Sequence, residues 1–243
     1  MKGKVLVVMV AAVALLGAGA ALAGIAETKH DLSVTGEGTI KASGTQQNLE
    51  NCVWCHTPHF ANTDFAGAPL WNKATPTGTY TMYGTTLAGT TPDATPNGIT
   101  KACLSCHDGA SAINSLVNQA GAGEVNAAGA LVGFNTAKAG TAVLMPADDR
   151  ATNIGRDLRN AHPVSIAYIT GNASLRAPDG VAATVAKITG AAIVKGVSGT
   201  SRVECSSCHD PHVASGDTTS SGTTAGIQFL RLESALCKAC HVK

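Results

Sequence analysis

The chain carries Cys-x-x-Cys-His four times, at Cys52/Cys55/His56, Cys103/Cys106/His107, Cys205/Cys208/His209 and Cys237/Cys240/His241. These motifs use all 8 cysteines of the 243 residues and half of the 8 histidines. A histidine after every pair by coincidence is about one draw in a million at this composition. Eight cysteines in an exported chain ordinarily suggest four disulfides, and two Cys-x-x-Cys pairs can hold a zinc ion. Neither accounts for the four histidines. Covalent attachment of c-type haem does, because two thiols add to the vinyl groups on one porphyrin edge and the next imidazole reaches the iron. The spacing predicts four covalently attached haem c groups, with His56, His107, His209 and His241 as proximal ligands.

Four further histidines, His30, His59, His162 and His212, match the number of remaining axial positions. Met82 and Met145 are the alternative sulfur ligands outside the leader, and the histidine count predicts bis-histidine ligation throughout. Motifs one and three continue as Cys-x-x-Cys-His-x-Pro-His, ending at His59 and His212. Three residues span at most about 10 Å, and the proline restricts their path further. His59 and His212 therefore cannot round the porphyrin already held by His56 or His209, and they serve neighbouring haems. The simplest pairing sends His59 to the His107 haem, His212 to the His241 haem and His162 to the His209 haem.

Between the motifs lie 46, 97 and 27 residues, so no solenoid period is present. Residues 75–100 read as a Thr, Pro and Gly loop, 120–140 as a low-complexity Ala/Gly insertion, and 184–198 as a small hairpin. Short helices are predicted at the motifs, especially over 230–241, and Asn172-Ala173-Ser174 fits a glycosylation acceptor. Charged residues make up 14% and aromatics 4%, too few of the latter to fill an ordinary core. The fold class predicted over 24–243 is one haem-organised domain, mostly loops with short α-helices and little β, in which the haems form the core. The net charge of +1 gives no electrostatic case for nucleic-acid binding.

Residues 1–23 read as a signal peptide: Lys2 and Lys4, an apolar run from Val5, then Ala21-Leu22-Ala23. Its removal leaves 15 of the 17 basic residues against 16 acidic ones. No other stretch is long and apolar enough to span a bilayer. The expected product is exported, with no membrane span in the mature chain.

Around the motifs, His30-Asp31-Leu32-Ser33, Asn51 to His59, Ala68-Pro69-Leu70-Trp71-Asn72 and Asn160-Ala161-His162-Pro163-Val164 resemble the multihaem c-type cytochromes of metal-reducing bacteria. The nearest resemblance is to tetrahaem outer-surface cytochromes that polymerise into extracellular nanowires. It runs from His30 to the C-terminus. It implies a head-to-tail homopolymer carrying respiratory electrons to redox partner proteins or external acceptors, located outside the cell or on its surface. It also implies that a histidine of one subunit can ligate a haem of the next, and His30, furthest from any motif, is the candidate. A discrete periplasmic electron shuttle keeps the same chemistry without the polymer. A multihaem reductase needs an open coordination position, against which the matched histidine count argues; the chain is expected to be an electron-transfer protein and not an enzyme.

Overall fold

The computed structural model describes residues 24–26, 28–42, 51–87, 90–118, 142–169, 171–176, 195–197, 200–212, 229–230 and 236–242. The leader 1–23 and the Ala/Gly stretch 120–140 lie outside them, as does most of the expected hairpin at 184–198.

Most of the described chain is loop, and its loops are built by short acidic and amide side chains. Asp31, Asn62, Asp108, Asp149, Asp157, Asn172 and Asp210 each accept, through Oδ1, the backbone N–H two residues on. This Asx turn replaces a backbone–backbone bond and lets the chain reverse without a sheet or helix. Three of these aspartates directly follow His30, His107 and His209, so the chain turns away just past a histidine. Asp108 is the most heavily engaged. It accepts from the Ala110 and Ser111 backbone, Ser111 Oγ, Tyr80 Oη and Arg156 Nε.

Helix α1 spans Gly98–His107 and buries Thr100, Ala102, Leu104 and Ser105. It begins inside the stretch read as a loop from sequence, so residues 98–100 are helical rather than irregular. It ends where Gly109 takes φ +70, the left-handed conformation that favours glycine after a helix. A Cβ there would meet Asn153 Oδ1 at 2.4 Å. After a 3-10 turn at Leu158–Asn160 come β1 (Ile166–Ala167), β2 (Lys195–Val197) and β3 (Thr200–Val203). They form an antiparallel sheet in the order β1-β3-β2, with Ile166 opposite Val203 and Gly196 opposite Ser201. The described end of the expected hairpin, 195–197, thus pairs forward with β3.

The sheet delivers β3 straight into α2, Cys205–Cys208, and the last helix α3 covers Leu236–Cys240. Thr100 of α1 locks α1 to α2: its hydroxyl donates to Glu204 Oε2 and accepts the Cys205 N–H at 3.2 Å. A small apolar cluster of Ala42, Trp54, Ile113, Leu116 and Val143 lies beneath motifs one and two, with Cys55, Cys106 and Met145 packed against it. Asn72, fully buried, clamps this region. Its Nδ2 donates to the Val53 and Asn118 carbonyls, both at 2.7 Å, and its Oδ1 accepts the Asn118 N–H at 2.8 Å. Among the described residues no helix is long and apolar enough to cross a membrane.

Candidate functional site

Each Cys-x-x-Cys-His segment winds as one helical turn. The histidine N–H of motifs one, three and four donates to the carbonyl of the first cysteine, at 2.9, 3.0 and 2.8 Å, and motif two is the last turn of α1. On such a turn positions i, i+3 and i+4 share a face. Both thiols and the imidazole therefore leave the backbone on one side, which is the geometric reason for two intervening residues.

An extended segment then pins each turn. Residues 69–72 run beside motif one: Asn72 N–H donates to Cys55 O at 2.8 Å, Thr57 N–H to Leu70 O at 2.9 Å, and His56 bridges Trp71. Leu230 bridges His209, and Leu175 bridges His241. For motif two the pin is 152–154, where Ile154 N–H donates to His107 O at 2.9 Å. Trp71 also joins the first two motifs, donating from Nε1 to Ser105 Oγ at 3.2 Å.

The ring nitrogens are sorted by their neighbours. Nδ1 of His56 lies 2.5 Å from Pro69 O, that of His107 2.6 Å from Thr152 O, and that of His162 2.9 Å from Pro163 O. A carbonyl can only accept, so Nδ1 carries the proton and Nε2 keeps its lone pair outward. This is the arrangement of metal-ligating histidines, whose other ring nitrogen donates to a carbonyl or carboxylate. Burial lowers the pKa of His107, against the opposing pull of the Thr152 carbonyl and Asp149. Burial brings His30 down to about 4, helped by repulsion from His107, His209 and His212. Both rings are thus held neutral, the form that binds a metal.

Six of the eight histidines stand in pairs. Ring centroids are 6.0 Å apart for His30 and His107, 6.0 Å for His56 and His212, and 6.4 Å for His162 and His241. The His56 and His212 planes are within 14° of parallel, yet 6.0 Å is too wide for face-to-face contact. Two imidazoles on opposite sides of one metal, with metal–nitrogen bonds of about 2 Å and about 1.1 Å from nitrogen to ring centre, have centroids roughly 6.2 Å apart. The donor set fits an iron held between two imidazoles at three of the four motifs.

These partners differ from the sequence-based pairing. His212 faces His56 rather than His241, and His162 faces His241 rather than His209. His107 faces His30 of its own chain rather than His59. The sequence-based pairing gave His59 and His212 to the two motifs without a histidine three positions on and left His162 for the remaining one, whereas folding brings distant segments together instead. His59 is exposed, and its ring has no partner among the described residues. His209 is exposed and lies close enough to His30 to act on its charge.

The cysteine pairs of neighbouring motifs also approach one another. Motifs two and three are joined through Thr100, which binds Glu204 and the Cys205 N–H, while Cys55 and Cys106 pack against the same apolar cluster. Burial pushes the Cys55 thiol up to about 12. None of the eight cysteines is in a disulfide. Among the described residues no three His, Cys, Asp or Glu side chains converge to hold a metal, whereas a structural zinc takes four ligands.

Sequence reasoning overlooked Phe229, whose ring stacks on His30 at 4.1 Å and 13°, and no local pattern marks it. It also overlooked the aspartate after His30, His107 and His209, a repeat that was there to be read. No family model matches the chain, and no curated protein matches it.

Proposed function

We propose that the chain is an electron-transfer protein whose four Cys-x-x-Cys-His turns carry covalent haem c, each with two histidine ligands. The observation that carries this reading is the set of three proximal–distal ring pairs at 6.0, 6.0 and 6.4 Å. Haem supplies a one-electron iron couple, which no side chain of this protein provides. The chain's own work is positional. Nδ1 bonds from His56, His107 and His162 to carbonyls present Nε2, and Thr100, bound to Glu204 and the Cys205 N–H, keeps the second and third attachment points together. With two imidazoles per iron there is no open position for a substrate, which favours relay over catalysis.

Export follows from the leader, and an extracellular filament from the resemblance to nanowire-forming cytochromes of metal-reducing bacteria. His59 replaces His30 as the histidine left to reach a second copy. It is exposed beside Phe60, which is 88% exposed, and near Leu70, also exposed. A head-to-tail contact of this kind propagates an open filament unless it closes into a ring. The discrete shuttle is the alternative, favoured by His30 finding its partner within its own chain.

Two measurements test the reading. The mature protein should exceed its polypeptide mass by four haems, with low-spin spectra and no methionine–iron band; three haems or fewer contradict it. Negative-stain images of the secreted protein should show filaments that His59→Ala abolishes. Monomers alone establish the shuttle.

A further inference from the structure

Lys73 is 2% exposed. Its Nζ donates to the carbonyls of Ile113 and, at 3.1 Å, Ser115. No carboxylate forms an ion pair with it among the described residues. A buried cation without a counter-charge is costly, and its position shows what it acts on. Lys73 follows Asn72, whose N–H binds Cys55 O at 2.8 Å. Ile113 belongs to the cluster against which Cys55 and Cys106 pack. The Lys73 charge is also felt at the Cys55 sulfur, where it opposes the effect of burial.

The opposite charge stands at the next junction. Glu204, also 2% exposed, precedes Cys205 and acts electrostatically on both Cys103 and Cys205. Its Oε2 accepts from Thr100 and, at 3.2 Å, from Ser165 Oγ. At motif four, Lys238 is exposed and Arg176 half-buried. Only the first motif has a fully buried lysine or arginine beside it among the described residues.

We propose that Lys73 raises the reduction potential of the haem attached through Cys52 and Cys55, making it the highest of the four. This rests on the reading that those cysteines carry haem. Reduction adds one electron to the iron and forms or breaks no bond. A fixed cation in a water-poor interior favours the state with the extra negative charge, and solvent screens it little there. Lys73 is a positioning residue here: it touches no reacting atom and acts through the field at the first motif.

The test is a haem-by-haem redox titration of the full holoprotein with dithionite as reductant, followed by NMR of assigned haem methyls. Lys73→Met should lower the potential of the Cys52/Cys55 haem by about 59 mV, a tenfold change in a one-electron equilibrium. The Cys237/Cys240 haem should be unmoved, and Lys73→Arg should keep the wild-type value. A less than twofold change in Lys73→Met, or an equal loss in Lys73→Arg, overturns the proposal. If Lys73→Met yields no holoprotein, the wild type decides: the Cys52/Cys55 haem titrates highest, and any other order refutes the assignment. Absence of haem at Cys52 and Cys55 in the wild type would instead refute the underlying reading.

Discussion

Replacing His30 with alanine separates the two accounts of that residue, as a ligand within the chain and as a ligand for a neighbour. The ring faces His107 at 6.0 Å and stacks on Phe229 at 4.1 Å. Losing the stack costs about 1 kcal/mol. His30 Nδ1 is buried with no hydrogen-bond partner among the described residues, so its removal orphans no donor or acceptor and adds no penalty of about 1–3 kcal/mol. The variant should therefore fold, and its spectra can be read. One haem of four, that attached at Cys103 and Cys106, should lose its sixth ligand. In isolated monomers, where three haems have both imidazoles within the chain, a third of the low-spin signal should become high-spin, and added imidazole should restore it. Assembly should persist, since the partner of His30 lies in its own chain. Four unchanged low-spin haems in the monomer, or a change at a different haem, would refute the pairing read from ring separations.

The other two pairs make parallel claims: His212→Ala should alter the haem at Cys52/Cys55, and His162→Ala that at Cys237/Cys240, with haem-resolved NMR as the check. Asn72→Ala removes three hydrogen bonds to buried backbone and should destabilise the protein by about 3 kcal/mol. A loss below about 1 kcal/mol in urea unfolding would show that the clamp is dispensable. Glu204 gives a pH dependence. Burial raises its pKa, outweighing the hydroxyls of Thr100 and Ser165, so the folded chain holds this proton more tightly than the unfolded one. Its contribution should fall as pH rises from about 4.3, the unfolded value, through the raised native pKa, and stay level above it. Glu204→Gln should flatten that segment of the stability profile; an unchanged slope would contradict the assignment.

How much of the site could be read before folding depends on the range of each interaction. Cys-x-x-Cys-His is a local device: one helical turn puts two thiols and an imidazole on one face, so the spacing alone names the eight cysteines and the four histidines that follow them. The count of spare histidines and the short reach of Cys-x-x-Cys-His-x-Pro-His are likewise properties of composition and chain geometry. The Thr-, Pro- and Gly-rich stretch 75–100 and the Ala/Gly stretch 120–140 argued for a loop-rich chain, and the Asx turns are how such a chain holds its shape without long helices or sheets. The limits appeared where local pattern stopped short, as in the stretch 75–100, whose last three residues form the first turn of α1.

Which spare histidine stands beside which motif was decided by tertiary structure alone. His56 and His212 lie far apart in sequence, and so do His30 and His107, and His162 and His241. Chain order ranks candidates by the length of the connecting loop, but closure entropy rises only slowly with that length. The choice therefore falls to the contacts that position each segment: Phe229 against His30, Thr100 between α1 and α2, and Leu175 along His241. Burial of Lys73 and Glu204 is of the same kind. A lysine after Asn72 or a glutamate before Cys205 looks like ordinary surface charge in sequence, and only packing by remote segments takes either out of water.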